Sequence, residues 1–317
     1  MKDLPKPSAN MGKFQDRHVT ADGSQRAVVA LSKPETLWFN TGTLCNIECA
    51  NCYILSSPRN DALVYLSTVE VEDYLDQIKA RGWPIREIGF TGGEPFMNPE
   101  MCAMAEAALM RGHEVLILTN AMRPMMRKSV RADLLDLQQR FPGQLTLRVS
   151  LDHHTAQAHD RERGDGSFDK TLQGMAWLRD NGFQMAVAGR IAFAESEHEA
   201  RAGFARLFEA QGFPIDALNP GQTVLFPEMD ENVEVPEITT ACWGILNKSP
   251  DDVMCASSRM VVKRKGATAP VVLACTLLPY APEFEMGASL AEAEAPVALN
   301  HPHCAKFCVL GGASCSA

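Results

Sequence analysis

Gly42-Thr43-Leu44-Cys45-Asn46-Ile47-Glu48-Cys49-Ala50-Asn51-Cys52-Tyr53 decides how the rest of this chain is read. Three cysteines fall at the spacing Cys-x3-Cys-x2-Cys. The run follows Leu37-Trp38-Phe39-Asn40, a β-like stretch of bulky apolar residues, so the thiols sit on the loop that leaves a strand. Thiolates so spaced can wrap one face of a cubic cluster. Iron–sulfur clusters normally take four cysteine ligands, and three leave one iron open to another ligand. A structural zinc wants four ligands in a closed tetrahedron, and no His or fourth Cys lies close in sequence to complete one.

Outward from that loop, strand and helix patterns alternate. Thr68–Arg81 reads as a helix, with Val69, Tyr74, Leu75 and Ile78 near helical spacing. Ile85–Phe90 reads as a strand and Asn98–Met110 as a helix, Pro99 taking a permitted early position. Strand and helix follow at Glu114–Leu118 and Met125–Phe141, and again at Leu145–Leu151 and Ser167–Asn181, the latter closed by Gly182. Met185–Ile191 is a strand, Glu195–Gln211 a helix closed by Gly212, and Val224-Leu225-Phe226 a shorter sixth strand. Alternation of this kind implies parallel strands with helical crossovers. A full eight-unit barrel needs about 250 residues. Five to six units predict an α/β fold, an open or partial (β/α)6 TIM-like barrel over residues 36–226. Ligands in such folds sit at the carboxyl ends of the strands, on the βα loops.

The second βα loop carries Phe90-Thr91-Gly92-Gly93-Glu94-Pro95. Glycines let the backbone approach a ligand closely, and the proline stiffens the turn. Cys45-x3-Cys49-x2-Cys52 followed by Gly92-Gly93-Glu94-Pro95, on successive βα loops, resembles the radical SAM superfamily. The resemblance covers about residues 36 to 226 and implies a [4Fe–4S] cluster held by the three cysteines. It further implies S-adenosylmethionine on the open iron and a methionine amine met by Gly92, Gly93, Glu94 and Pro95. Cleavage of the sulfonium would then give a 5′-deoxyadenosyl radical that takes hydrogen from a substrate. An external electron donor such as flavodoxin or ferredoxin is implied with it. By the same resemblance Ser150, ending the fourth strand, faces the ribose or methionine end of the cofactor. Arg190, ending the fifth, meets its carboxylate. A strand-end hydrogen bond and a core-edge ion pair are the plain alternatives for these two. Where many members have an aromatic before the third cysteine, this chain has Asn51, with Tyr53 after it. His153 and His154 follow the fourth strand on the face where a substrate would sit, as candidates for proton transfer or as ordinary loop residues.

The rhythm stops after Phe226. Residues 227–241 are an acidic connector, and 242–317 hold six of the ten cysteines. Met260-Val261-Val262 and Val271-Val272-Leu273 read as a hairpin that brings Cys255 and Cys275 together. His303-Cys304-Ala305-Lys306-Phe307-Cys308, then Gly311-Gly312 and Cys315, reads as chain bending around a metal. The region resembles SPASM or twitch extensions, which implies one auxiliary [4Fe–4S] cluster on Cys255, Cys275, Cys308 and Cys315, with Cys304 and Cys242 as alternates. Zinc is the competing reading. Cys102 reads as a small buried hydrophobe, and Met97, Met101, Met104, Met122, Met125 and Met126 as adaptable core. His301 and His303 border the tail cysteines or lie on the surface, and Lys263-Arg264-Lys265 is a solvated turn.

Composition sets the remaining bounds. Thirty Lys+Arg against 39 Asp+Glu give a net charge of −9, which disfavours nucleic acid as a partner. Residues 1–35 are a polar, Pro-broken lead-in with no apolar core of a signal sequence, and no run of 18 apolar residues suggests a membrane span. A cytoplasmic chain with reduced thiols is expected. The lead-in is too short for a recognition domain, so a peptide substrate would need a separate carrier or another docking surface. The expected substrate is a peptide or protein, with a small-molecule metabolite as the alternative. A non-catalytic iron–sulfur electron carrier or scaffold is the reading from another class, and the Gly-Gly-Glu turn and Ser150 argue against it.

Overall fold

The computed structural model describes residues 12–191, 195–227 and 234–311. Its first elements are β1 (Val28–Val29), β2 (Thr36–Asn40), α1 (Thr68–Arg81), β3 (Glu87–Thr91), α2 (Met101–Met110), β4 (Glu114–Thr119) and α3 (Lys128–Arg140). There follow β5 (Leu145–Ser150), α4 (Ala156–Arg163), α5 (Ser167–Asp180), β6 (Gln184–Arg190), α6 (Glu197–Gln211) and β7 (Thr223–Phe226). The tail contributes α7 (Cys242–Leu246), β8 (Ser258–Val262), β9 (Val271–Leu273) and β10 (Val297–Ala298).

Strands β2 to β7 run parallel in sequence order, joined by helices, as the alternation predicts for a partial (β/α)6 barrel. The sheet does not stop at β2. There β8 pairs parallel to it, Thr36 against Ser258 through Phe39 against Val261, and β9 returns antiparallel. The expected tail hairpin therefore extends the barrel sheet to eight strands in the order β7-β6-β5-β4-β3-β2-β8-β9.

Period-two alternation divides the sheet's two faces. Leu37, Phe39, Ile88, Phe90, Ile117, Leu147 and Val149 pack under the helices. Trp38, Leu116, Met260, Val262 and Leu273 face the other way, toward the tail. Trp38 lies so close over Gly89 that a Cβ there would sit 2.4 Å from Cε3. The lead-in is less loose than its composition suggests. Arg26 is buried and pairs with Glu237 at 2.5 Å, and β1 pairs with β10.

Several boundaries differ from the sequence reading. Residue Val71, not Val69, shares the buried face of α1 with Tyr74, Leu75 and Ile78. The helix expected from Asn98 begins at Met101, because Pro95–Met97 form a 3-10 turn and Asn98 is a buried anchor donating to the Leu66 carbonyl at 2.8 Å. The helix expected from Met125 begins at Lys128. Helix α4 was not expected, since Ala156–Arg163 is polar and carries no apolar stripe to read. Among the described residues no helix is long and apolar enough to cross a membrane.

Candidate active site

The loop after β2 is held by backbone before any side chain acts. Thr43 N donates to Leu63 O at 2.9 Å and Cys45 N to Ser57 O at 3.1 Å. The glycine turn after β3 docks directly onto it. Gly93 N donates to Gly42 O at 2.8 Å and Glu94 N to Leu44 O at 3.1 Å. A Cβ on Gly93 would lie 2.3 Å from Leu44 O, and Gly92 has φ +148°, so both positions require glycine. The two motifs read separately in sequence are one interlocked unit.

Glu94 does not line the cavity that this unit borders. Its carboxylate is buried and accepts from Thr119 Oγ1 at 2.8 Å, Asn120 N at 2.8 Å and Phe96 N at 3.3 Å. It clamps the end of β4 to the turn after β3. Burial pushes its pKa up to about 7, against the lowering effect of those hydrogen bonds. Pro95 is buried in the following 3-10 turn. Of the four residues Gly92 to Pro95, the two glycines face the cavity.

That cavity measures about 610 Å³ and is lined by Cys45, Cys49, Cys52, Gly92, Gly93, Ser150 and Arg190, together with Tyr53, Thr119, Asn120 and Arg163. All three motif cysteines, both strand-end candidates and the glycine pair thus meet at the carboxyl ends of the strands. Burial pushes the Cys45 thiol up to about 12 and also raises that of Cys49. A bound cluster, through its cationic iron–sulfur core, would favour the thiolates. A second cavity of about 610 Å³ adjoins it, sharing Tyr53, Ser150, Arg163 and Arg190 and adding Ala188, Phe226, Leu277 and Phe307. The rings of Phe226 and Phe307 stack at 5.4 Å there, one from β7 and one from the tail.

The wall carries a charge network in which Arg190 makes the ion pair that was its plain alternative, beside residues to which the sequence reading gave no role. Asp152 accepts from Arg163 through both oxygens, at 2.8 and 3.1 Å, and Arg190 Nε lies 3.4 Å away. Asp152 is held below its usual range; burial opposes this, and Arg163 and Arg190 outweigh it. Arg190 also donates to Asn51 O at 2.8 Å, and Asn51 Nδ2 donates to Glu162 at 2.9 Å. Asn51 therefore straps the cysteine loop to α4, while the loop's aromatic at the cavity is Tyr53. Arg163 and Glu162 had no predicted place because α4 had none.

In the tail, Cys255, Cys275, Cys304 and Cys308 line one apolar pocket with Met254, Leu278 and His303. Cys304, an alternate in the sequence reading, lines this pocket, and Cys315 lies outside the described residues. Cys242 opens α7, where Thr239 N donates to its sulfur, and does not line the pocket. Burial pushes Cys255 up to about 11 and Cys304 up to about 12. A tetrahedral zinc, with Zn–S of about 2.3 Å, would hold its sulfurs roughly 3.8 Å apart. Among the described residues no three of these sulfurs lie within 4.8 Å of one another. Cys102 packs against the core under the helices.

His153 and His154 do not line the cavity. Their rings stack at 4.1 Å, and with Glu195 they form a tight group. Thr155 N donates to His153 Nδ1 at 3.0 Å, which puts the ring hydrogen on Nε2, donating to Glu195 at 3.2 Å. Both nitrogens of His153 are thus engaged, and a metal on Nε2 would have to displace that hydrogen.

A family model described as the radical SAM superfamily matches residues 39–200, half of the chain, and the chain belongs to that superfamily. It is 31% identical over 180 residues to the antilisterial bacteriocin subtilosin biosynthesis protein AlbA of Bacillus subtilis, covering 56% of this chain and 37% of AlbA. It is 30% identical over 146 residues to the AdoMet-dependent heme synthase of Methanosarcina barkeri, covering 45% and 38%. The matched stretch is well under half the length of either relative. Among solved structures, Streptococcus suis SuiB bound to precursor peptide SuiA has a similar fold, with a TM-score of 0.59 and 13% identity over 82% of this chain and 63% of SuiB.

Proposed function

We propose that the chain is an enzyme that reductively cleaves S-adenosylmethionine at a [4Fe–4S] cluster on Cys45, Cys49 and Cys52, and modifies a peptide. The observation that carries this is the meeting of those three thiols with Gly92, Gly93, Ser150 and Arg190 on one cavity. When bound, the cluster would supply the electron for reductive cleavage of the sulfonium C5′–S bond, the chemistry that would ultimately draw a hydrogen atom from the substrate. Gly92 and Gly93 leave the backbone open to the methionine amine. Arg190 offers a cation to its carboxylate, Ser150 a hydroxyl to the ribose, and Tyr53 a ring to the adenine side. Glu94 holds the turn in register without touching the ligand. The Asp152–Arg163–Arg190 network keeps that wall rigid and its charges balanced, and the apolar residues of the neighbouring cavity, Phe226, Leu277 and Phe307, would limit water there.

The tail would hold an auxiliary [4Fe–4S] cluster on Cys255, Cys275, Cys304 and Cys308. Four thiols fit either a cluster or a tetrahedral zinc, and the resemblance of the tail to SPASM or twitch extensions is what favours a cluster. An external one-electron donor of the flavodoxin or ferredoxin type would reduce the catalytic cluster. A peptide substrate is favoured by the likeness to AlbA, named for bacteriocin biosynthesis. A small-molecule metabolite is the second reading, favoured by the likeness to the heme synthase.

The test is electron paramagnetic resonance of the reduced, reconstituted protein. Adding S-adenosylmethionine should change the spectrum of the wild type and leave a C45A/C49A/C52A variant unchanged. A wild-type spectrum indifferent to S-adenosylmethionine would sink the proposal.

A further inference from the structure

Arg259 lies on β8 with its side chain 1% exposed. Nε donates to Ala293 O at 2.8 Å and Nη2 to Ala295 O at 3.4 Å. Nη1 donates to Cys255 O at 2.6 Å and Ser258 O at 2.8 Å. All four acceptors are neutral carbonyls. Arg26, equally buried, pairs with Glu237 at 2.5 Å, and the part-buried Arg163 pairs with Asp152 at 2.8 Å. Arg259 has no such ion pair among the described residues, and its geometric tie to the tail cysteines is the bond from Nη1 to the Cys255 carbonyl.

A buried guanidinium without a counter-charge is costly, and arginine does not escape the cost by losing its proton near neutral pH. The carbonyls orient the charge without neutralising it. A filled metal site on the adjacent cysteines would supply the missing anion. Four thiolates outweigh the positive charge of a cubic iron–sulfur core, so that site is anionic when filled.

We propose that Arg259 is the buried counter-charge of the tail cysteine site and raises the reduction potential of the cluster bound there. This rests on the reading of Cys255, Cys275, Cys304 and Cys308 as cluster ligands. A fixed cation favours the more negative, reduced state, and charge near a cluster is one of the levers that set its potential. The bond from Nη1 to the Cys255 carbonyl holds the guanidinium at the backbone of the first ligand. Arg259 is thus a positioning residue for electron transfer through the tail.

The test is a potentiometric titration followed by electron paramagnetic resonance. It uses the full reconstituted chain with Cys45, Cys49 and Cys52 replaced by alanine, so that the tail cluster alone contributes. Replacing Arg259 with Gln or Met should shift the potential to more negative values, and R259K, which keeps the charge, should stay near the parent value. Two different variants guard against one that fails to fold. Bound iron with an unmoved potential in R259Q or R259M would overturn the role of Arg259. Absence of bound iron in the parent would instead overturn the auxiliary cluster, and the inference with it.

Discussion

Replacing Glu94 with alanine removes the acceptor from three buried donors: Asn120 N, Thr119 Oγ1 and Phe96 N. Each buried N–H left unpaired costs about 1–3 kcal/mol, so two of them make a loss of roughly 2–6 kcal/mol. Glutamine behaves differently. Its carbonyl can accept from Asn120 N while its amide donates to Thr119 Oγ1, leaving only the long Phe96 contact unmade, a loss of about 1 kcal/mol. The pH dependence separates them further. Burial raises Glu94 from 4.5 to about 7 in the folded protein. The folded state therefore binds the proton more tightly. The stabilisation is fully present below about pH 4.5 and is lost as pH rises through about 7. E94Q cannot lose a proton, so its stability should gain on the wild type between pH 5 and pH 8. The assay is thermal denaturation of the metal-free proteins, followed by circular dichroism at both pH values. The reasoning fails if metal-free E94A is as stable as wild type while S-adenosylmethionine binding is lost, because Glu94 would then be a ligand contact and no clamp.

Gly93→Ala should push the Leu44 carbonyl aside, since the new Cβ would lie 2.3 Å from it. The expected cost is about 1–3 kcal/mol of stability, with roughly hundred-fold slower turnover from the displaced cysteine loop, while G244A, with open space around it, changes neither. D152N strips the counter-charge from Arg163 and Arg190 on the cavity wall; denaturant titration should record a loss of about 3–5 kcal/mol. Iron analysis should find C304S short by about one four-iron cluster and C242S at the wild-type level, because Cys304 lines the tail pocket and Cys242 does not.

The barrel was legible because each strand carried a short apolar run and each long helix a stripe or a glycine stop. Thr68–Arg81 is an example, with Tyr74, Leu75 and Ile78 at helical spacing on its buried face. Helix α4 was not legible, for its face is polar and it is held by the barrel, not by an apolar stripe of its own. With it went Glu162 and Arg163, whose roles depend on partners at Asn51 and Asp152, far away in sequence. The cysteine motif and the glycine turn were each visible, but nothing local says that Gly93 touches Leu44. Glu94 illustrates the limit: the motif flagged it, and only the fold reveals that its oxygens point at Thr119 and Asn120. In the tail the hairpin was readable from its two β-branched runs. The choice among Cys304, Cys308 and Cys315 depends on how the chain folds back, which spacing does not encode.

The central claim is that Cys45, Cys49 and Cys52 serve the cleavage of S-adenosylmethionine. Its most direct test is chromatographic measurement of 5′-deoxyadenosine from the anaerobically reconstituted protein given reductant and S-adenosylmethionine, beside the C45A/C49A/C52A variant. Wild type should release 5′-deoxyadenosine even without added substrate, and the variant none. A reconstituted, iron-loaded wild type that releases none, or a variant that releases as much, would contradict the account.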